Sequence, residues 1–165
     1  MKIGIVSDTH GRVQAVDTML KIAEPVDLWL HAGDVAEDAE YLARMTGVKT
    51  LGVLGNCDWP DGKTPLTRVV EAGGHRIFLA HGHASGIPYT TKFLREEAAF
   101  AKADIIVFGH SHQALIRKEE NMLLLNPGSL AKPRDGYQGS FMILTLTEGT
   151  EPSVEILRLP DKIDR

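Results

Sequence analysis

Residues 1–10 read MKIGIVSDTH and residues 27–34 read DLWLHAGD. Each is a short apolar run that ends on a carboxylate, Asp8 in the first and Asp34 in the second. Runs of this kind predict strands over 2–7 and 27–31. Between them Val13, Val16, Leu20 and Ala23 recur at helical spacing, so the segment reads β-α-β. A second helix is expected over 37–45 and a third strand over 49–54. Strands joined by helices of about ten residues imply a parallel sheet buried on both faces. Ligands of such sheets bind beyond the carboxyl ends of the strands.

Further along, a hairpin is predicted from 66–71 and 75–80, turned around Ala72-Gly73-Gly74. A longer helix is expected over 90–102, then strands over 104–108, 114–118 and 122–125. The tail alternates apolar and polar positions over 140–147 and 154–159 around Glu148-Gly149-Thr150, the pattern of a half-covered hairpin. The architecture expected is an α/β sandwich of two packed sheets flanked by helices, in one domain spanning 1–165.

Composition narrows the function. The chain has 165 residues with 18 Lys and Arg against 22 Asp and Glu, a net charge of −4. That balance provides no basic footprint for strong nucleic-acid binding. No apolar run approaches the roughly 20 residues of a membrane-spanning helix. The sequence holds one cysteine and no secretory h-region near its start, which reads as a reducing, cytoplasmic setting.

The seven histidines are unevenly placed. Directly after predicted strands stand Asp8-Thr9-His10, Gly33-Asp34, Gly55-Asn56-Cys57-Asp58, His81-Gly82-His83 and Gly109-His110-Ser111-His112. In an extended segment residues i and i+2 share a side, so Asp8 with His10, His81 with His83, and His110 with His112 could each present a pair to one place. The glycines would let neighbouring loops approach a common point. Buried carboxylates need cations or strong hydrogen bonds, and few Lys or Arg lie in these motifs. Carboxylate, imidazole and amide oxygen together suit borderline divalent metals. So many donors exceed the needs of one ion, whereas two ions about 3.5–4 Å apart would use them.

The ordered set D-x-H, GD, GN-x-D, HGH and GH-S-H, followed by Asn126-Pro127-Gly128-Ser129, resembles the calcineurin-like metallophosphoesterase superfamily. Within it the chain is most similar to the small single-domain YfcE-type phosphodiesterases, and the resemblance spans about residues 3 to 135. It implies a four-layer α/β/β/α sandwich of two mixed sheets. It also implies one metal held by Asp8, His10 and His112, a second held by Asn56, His81 and His110, and Asp34 bridging both. Manganese comes first among the ions, with Fe, Ni, Zn, Co or Mg also compatible. The implied reaction is phosphodiester hydrolysis by a hydroxide shared between the metals, attacking phosphorus in line. The implied assembly is a homo-oligomer, a dimer or tetramer.

Where many members of the superfamily carry histidine after the motif asparagine, this chain has Cys57. A thiol is a weak proton donor without positive charge, so a small phosphodiester is the favoured substrate over a dianionic monoester. Asp58 would orient its neighbours, and His83 would contact the phosphate or a ligand. Ser129 and Arg134 in the loop 126–136, together with Arg12, are candidate phosphate contacts. Helix capping is the plain alternative for Asp8 and Asp34. His31 is read as a hydrogen-bonded core histidine, His75 as solvated, Trp29 as core and Trp59 as a possible pocket wall. Rival functions are a phosphomonoesterase or nucleotide pyrophosphohydrolase on the same metals, or a non-catalytic protein-interaction scaffold.

Overall fold

A computed structural model describes residues 1–161, so the last four residues of the expected 1–165 domain lie outside it. In chain order the elements are β1 (Lys2–Val6), α1 (Val13–Ile22), β2 (Leu28–His31), α2 (Glu37–Thr46), β3 (Thr50–Gly52), β4 (Thr67–Ala72) and β5 (His75–Ala80). They continue with α3 (Lys92–Phe100), β6 (Ile105–Val107), β7 (Ala114–Glu119), β8 (Met122–Pro127), β9 (Ser140–Thr145) and β10 (Ser153–Arg158). Every predicted element is present. The third strand and the long helix are shorter than expected, and β8 runs on through Asn126 and Pro127, where the sequence predicts a loop.

The strands form two mixed sheets in the orders β10-β9-β1-β2-β3 and β4-β5-β6-β8-β7. In the first, β1, β2 and β3 run parallel, with Ile3 opposite Leu28 and Leu30 opposite Leu51, while β9 and β10 are antiparallel. In the second, β5, β6 and β8 run parallel, bordered by antiparallel β4 and β7.

Period-two alternation divides the buried side chains into separate layers. Ile3, Ile5, Leu28, Leu30, Leu79, Ile105, Val107, Met142 and Leu144 meet between the sheets. The alternate residues Trp29, Phe141 and Ile143 turn outward and pack with Val16 and Met19 of α1 and Leu42 of α2. Phe78, Ile106 and Leu124 face the opposite way, onto Leu94 and Ala98 of α3. The result is the expected α/β/β/α sandwich. Among the described residues, no helix is long and apolar enough to cross a membrane.

Leu79 is fully buried between the sheets, whereas Phe100 is 94% exposed. Leu79→Ala is therefore expected to lower the unfolding free energy of the metal-free protein by about 2–5 kcal/mol. Phe100→Ala is expected to change it by no more than about 0.5 kcal/mol, with both values read from denaturant titration.

Candidate metal centre

All six mutually parallel strands, three from each sheet, deliver their carboxyl ends to one edge of the sandwich. Asp8 and His10 follow β1, Asp34 follows β2 and Asn56 follows β3. His81 and His83 follow β5, and His110 and His112 follow β6. Asp8, His10, Asp34 and His112 each place a donor atom within 4.8 Å of the others. On the other side, His81 Nε2 lies 3.0 Å from Asn56 Oδ1 and 3.4 Å from Asp34 Oδ1. The His81 and His110 rings are 5.0 Å apart, and His83 lies 5.4 Å from His81 and 6.1 Å from His110.

The pairs converge, but not by strand alternation. Asp8 (φ 54°), His10 (49°), Asp34 (62°), His110 (67°) and His112 (58°) all occupy the left-handed region, which costs a residue with a Cβ about 1–3 kcal/mol. The extended geometry expected for these i, i+2 pairs is corrected accordingly. Each chain turns sharply as it leaves its strand, and the turn aims the ligand inward. Two glycines make the crowding possible. A Cβ on Gly55 would stand 2.2 Å from Asp34 Oδ1, and one on Gly109 would stand 2.1 Å from Ser7 Oγ. Helix capping is set aside as well: α1 and α2 are preceded by Arg12 and Ala36, and neither helix has a side-chain cap.

The hydrogen bonds orient the donors. Asp8 Oδ2 accepts from Ser7 Oγ at 2.6 Å and from the His110 amide at 3.2 Å. Asp8 Oδ1 is buried and accepts no hydrogen bond among the described residues, yet Nε2 atoms of His112, His81 and His10 surround it at 3.0, 3.9 and 4.0 Å. His81 Nδ1 lies 2.7 Å from the Ala32 carbonyl, and His112 Nδ1 lies 2.7 Å from the Lys132 carbonyl. A carbonyl only accepts, so each Nδ1 carries a proton and each ring turns its Nε2 to the centre. Ring nitrogens thus face carboxylate and amide oxygens, a convergence of donor atoms that a cation among them would satisfy. Oxygen and imidazole donors of this mixture fit a borderline divalent metal.

Charge at the site follows the same logic. Burial alone would raise the Asp34 carboxyl, but His81 and the Cys57 amide, which donates at 3.0 Å, hold it well below the usual carboxylate range. Burial alone would lower His81, but hydrogen bonding to Asp34 and the charges of Asp8 and Asp34 raise it. Burial pushes His10, His83 and His110 down. The Cys57 thiol is pushed up by burial and by Asp34, so it stays neutral and is a poor nucleophile.

Other residues singled out in the sequence lie around this centre. Asp58 bridges two loops, accepting from the Ala36 and Gly55 amides at 2.7 Å each. Ser129 is fully buried; its hydroxyl donates to the Asp8 carbonyl at 2.8 Å and accepts from the Lys132 amide at 2.8 Å. It therefore braces Asp8 from beneath. Arg12 is exposed and donates to the Ala131 carbonyl at 3.2 Å. Arg134 is also exposed, and its amide donates to the His112 carbonyl at 2.9 Å. Buried Asn126 donates to the Gly109 carbonyl at 2.9 Å and to Ser111 Oγ at 3.0 Å. His75 is not simply solvated, since Nδ1 lies 2.6 Å from Asp104 Oδ2. Trp29 is core and Trp59 is 88% exposed. Sequence reading missed Ser7 and the Ala32 and Lys132 carbonyls; backbone acceptors carry no residue-type signal.

A mixed-ligand centre at the shared edge of an α/β/β/α sandwich defines a metal-dependent phosphoesterase. Residues 1–149 match the model of the calcineurin-like phosphoesterase superfamily domain, and the chain belongs to that family. It is 38% identical over 149 residues to the "Probable metallophosphoesterase YsnB" of Bacillus subtilis, covering 88% of this chain and 85% of that protein. It is 29% identical to the phosphodiesterase YfcE of Escherichia coli K12, covering 87% of each. A crystal structure of a conserved protein from Streptococcus pneumoniae, described as a predicted phosphoesterase, superposes with a TM-score of 0.79 at 26% identity, covering 95% of this chain and 88% of that one.

Two measurements check the centre. Asp34→Asn is expected to weaken manganese binding by more than about 100-fold, beyond the usual loss of a residue that only orients a ligand, whereas His75→Ala leaves it unchanged in a chelator-competition assay. The second concerns pH in the metal-free protein. Burial lowers His10, His31, His83 and His110 in the folded chain, so the unfolded chain takes up these protons first. Their contribution is full above the ordinary imidazole value of about 6.5 and is lost as pH falls below it; His81 acts in the opposite sense. The melting temperature is expected to fall by several degrees between about pH 7.5 and about pH 5.5.

Proposed function

We propose that the protein is a phosphodiesterase working with two divalent ions, manganese first among them. Asp8, His10 and His112 would hold one ion, Asn56, His81 and His110 the other, and Asp34 both. The observation that carries this reading is the disposition of Asp34. Its Oδ2 lies 3.9 Å from His10 Nε2 on one side, and its Oδ1 lies 3.4 Å from His81 Nε2 on the other. One carboxylate thus touches two separate groups of electron-pair donors.

When bound, such a pair acidifies water enough to yield hydroxide near neutral pH and neutralises charge on phosphoryl oxygens. The chain's own residues supply position and proton control. Asp34 fixes the spacing of the two donor groups, while Ser7, Asn126 and Ser129 hold their loops before substrate arrives. His83, beside His81 and His110, is kept neutral by burial and is available to contact the phosphoryl group. Cys57 occupies the position after Asn56 with a neutral thiol. A neutral, weak donor gives little help to a poor leaving group, which favours diesters with good leaving groups over monoesters. The names of relatives that include YfcE agree with that preference.

Removing metal with a chelator is expected to abolish hydrolysis of a chromogenic phosphodiester, and manganese to restore it; activity independent of metal overturns the reading. In side-by-side kinetics, Cys57→His is expected to raise the monoester-to-diester rate ratio by about tenfold or more. An unchanged ratio removes the role given to Cys57.

A further inference from the structure

His31 and Thr9 are among the most completely buried polar residues, at 0% and 1% exposure, and neither has a donor atom in the metal centre. Their protons can be arranged in only one consistent way. The Gly33 amide donates to His31 Nδ1 at 3.2 Å, so that nitrogen is the acceptor. His31 Nε2 then carries the proton and donates to Thr9 Oγ1 at 3.0 Å. The Thr9 hydroxyl, having accepted, donates onward to the Asp34 carbonyl at 3.3 Å. Every donor in the chain has one acceptor and the direction is fixed.

The ends of this chain are the loops that carry ligands. Thr9 stands between Asp8 and His10, and Gly33 and the Asp34 carbonyl flank the Asp34 side chain. The backbone at Asp8, His10, Asp34 and Val35 is left-handed, with φ of 54°, 49°, 62° and 72°. Residues in such conformations persist only where their surroundings over-determine them. A single backbone bond, Asp8 amide to Gly33 carbonyl at 3.0 Å, joins the same loops directly. An apolar side chain at 31 would fill the space but leave the Gly33 amide without an acceptor, and burial of an unpaired amide is unfavourable. An imidazole, with an acceptor and a donor at opposite ends of a rigid ring, spans the gap.

We infer that Thr9 and His31 are positioning residues of the metal centre, a directed hydrogen-bond relay that locks the Asp34 backbone to the Asp8-Thr9-His10 loop. This rests on the dinuclear reading given above and acts through backbone placement of the ligands. The relay joins Asp8, His10 and Asp34 but none of Asn56, His81 or His110. Its loss therefore falls most heavily on the ion that Asp8, His10 and His112 would hold, and reaches the other only through Asp34.

The test uses the full chain, stripped of metal and titrated with manganese, with affinity and stoichiometry from competition with a chromogenic chelator. Thr9→Val keeps the shape and removes the hydroxyl; Thr9→Ser keeps the hydroxyl. Thr9→Val is expected to bind one ion about 10–100-fold more weakly than the wild type while the other is weakened less, with Thr9→Ser close to wild type. His31→Leu is expected to match Thr9→Val, and the double variant to be no worse than either alone, because the two residues act as one unit. Ile143→Val, a core change remote from the site, lowers thermal stability and is expected to leave both ions in place. Should Thr9→Val not fold, His31→Leu, which removes the donor to Thr9, provides the same readout. Wild-type affinities in the hydroxyl-less variants, equal weakening in Thr9→Ser, or additive loss in the double variant overturns the relay alone. A wild-type chain that binds no manganese overturns the dinuclear reading and the relay together.

Discussion

Two carboxylates, Asp8 and Asp34, are buried at the ends of adjacent parallel strands among imidazole nitrogens, and the rest of the structure is arranged around that constraint. A buried negative charge without a compensating partner is strongly unfavourable. Asp8 satisfies only one of its oxygens among the described residues; the other, Oδ1, has no hydrogen bond there. Parallel strands are needed because they bring several carboxyl ends to one edge, and the helices that return the chain cover the outer faces of the sheets. The fold and the chemistry therefore have a common origin in the direction of six strands.

Around the charged centre, hydrogen bonds from uncharged groups do most of the holding. Ser7 and the His110 amide fix one oxygen of Asp8, Ser129 supports its carbonyl, and Asn126 supports the Gly109 loop. The Ala32 and Lys132 carbonyls choose the tautomers of His81 and His112. These partners leave the donors little freedom to relax. The left-handed backbone at five candidate ligands shows what that rigidity withstands: unfavourable local conformations tolerated because packing and hydrogen bonding on every side oppose their release.

Most of the fold was legible in the sequence because strand faces and helix faces were patterned cleanly. Ile3 and Ile5 fall between the sheets while Trp29 packs on the helices, as alternation requires. The motifs were legible because each follows a strand whose apolar run stops abruptly. Their local geometry was not, since positive φ at a non-glycine residue leaves no mark in residue type; Asp8 and His10 converge through a bend that spacing alone represents as extension. Ser129 shows a second limit. A hydroxyl in a polar loop could equally face a ligand or the backbone, and only the distance to the Asp8 carbonyl separates the two. His75 shows a third: its partner Asp104 is 29 residues away and enters only when β5 and β6 pair.

The candidate ligands come from both halves of the sandwich. Asp8, His10, Asp34 and Asn56 come from loops of one sheet, and His81, His110 and His112 from loops of the other. An ion held by both groups is a cross-link between sheets that otherwise meet through apolar contact. Ligand binding to the native state adds stability in proportion to the logarithm of free ligand. A chain of this design is thereby coupled to its surroundings: scarcity of the ion loosens the seam between the layers, and abundance tightens it. The lifetime of the folded protein in a cell would then follow the local metal supply.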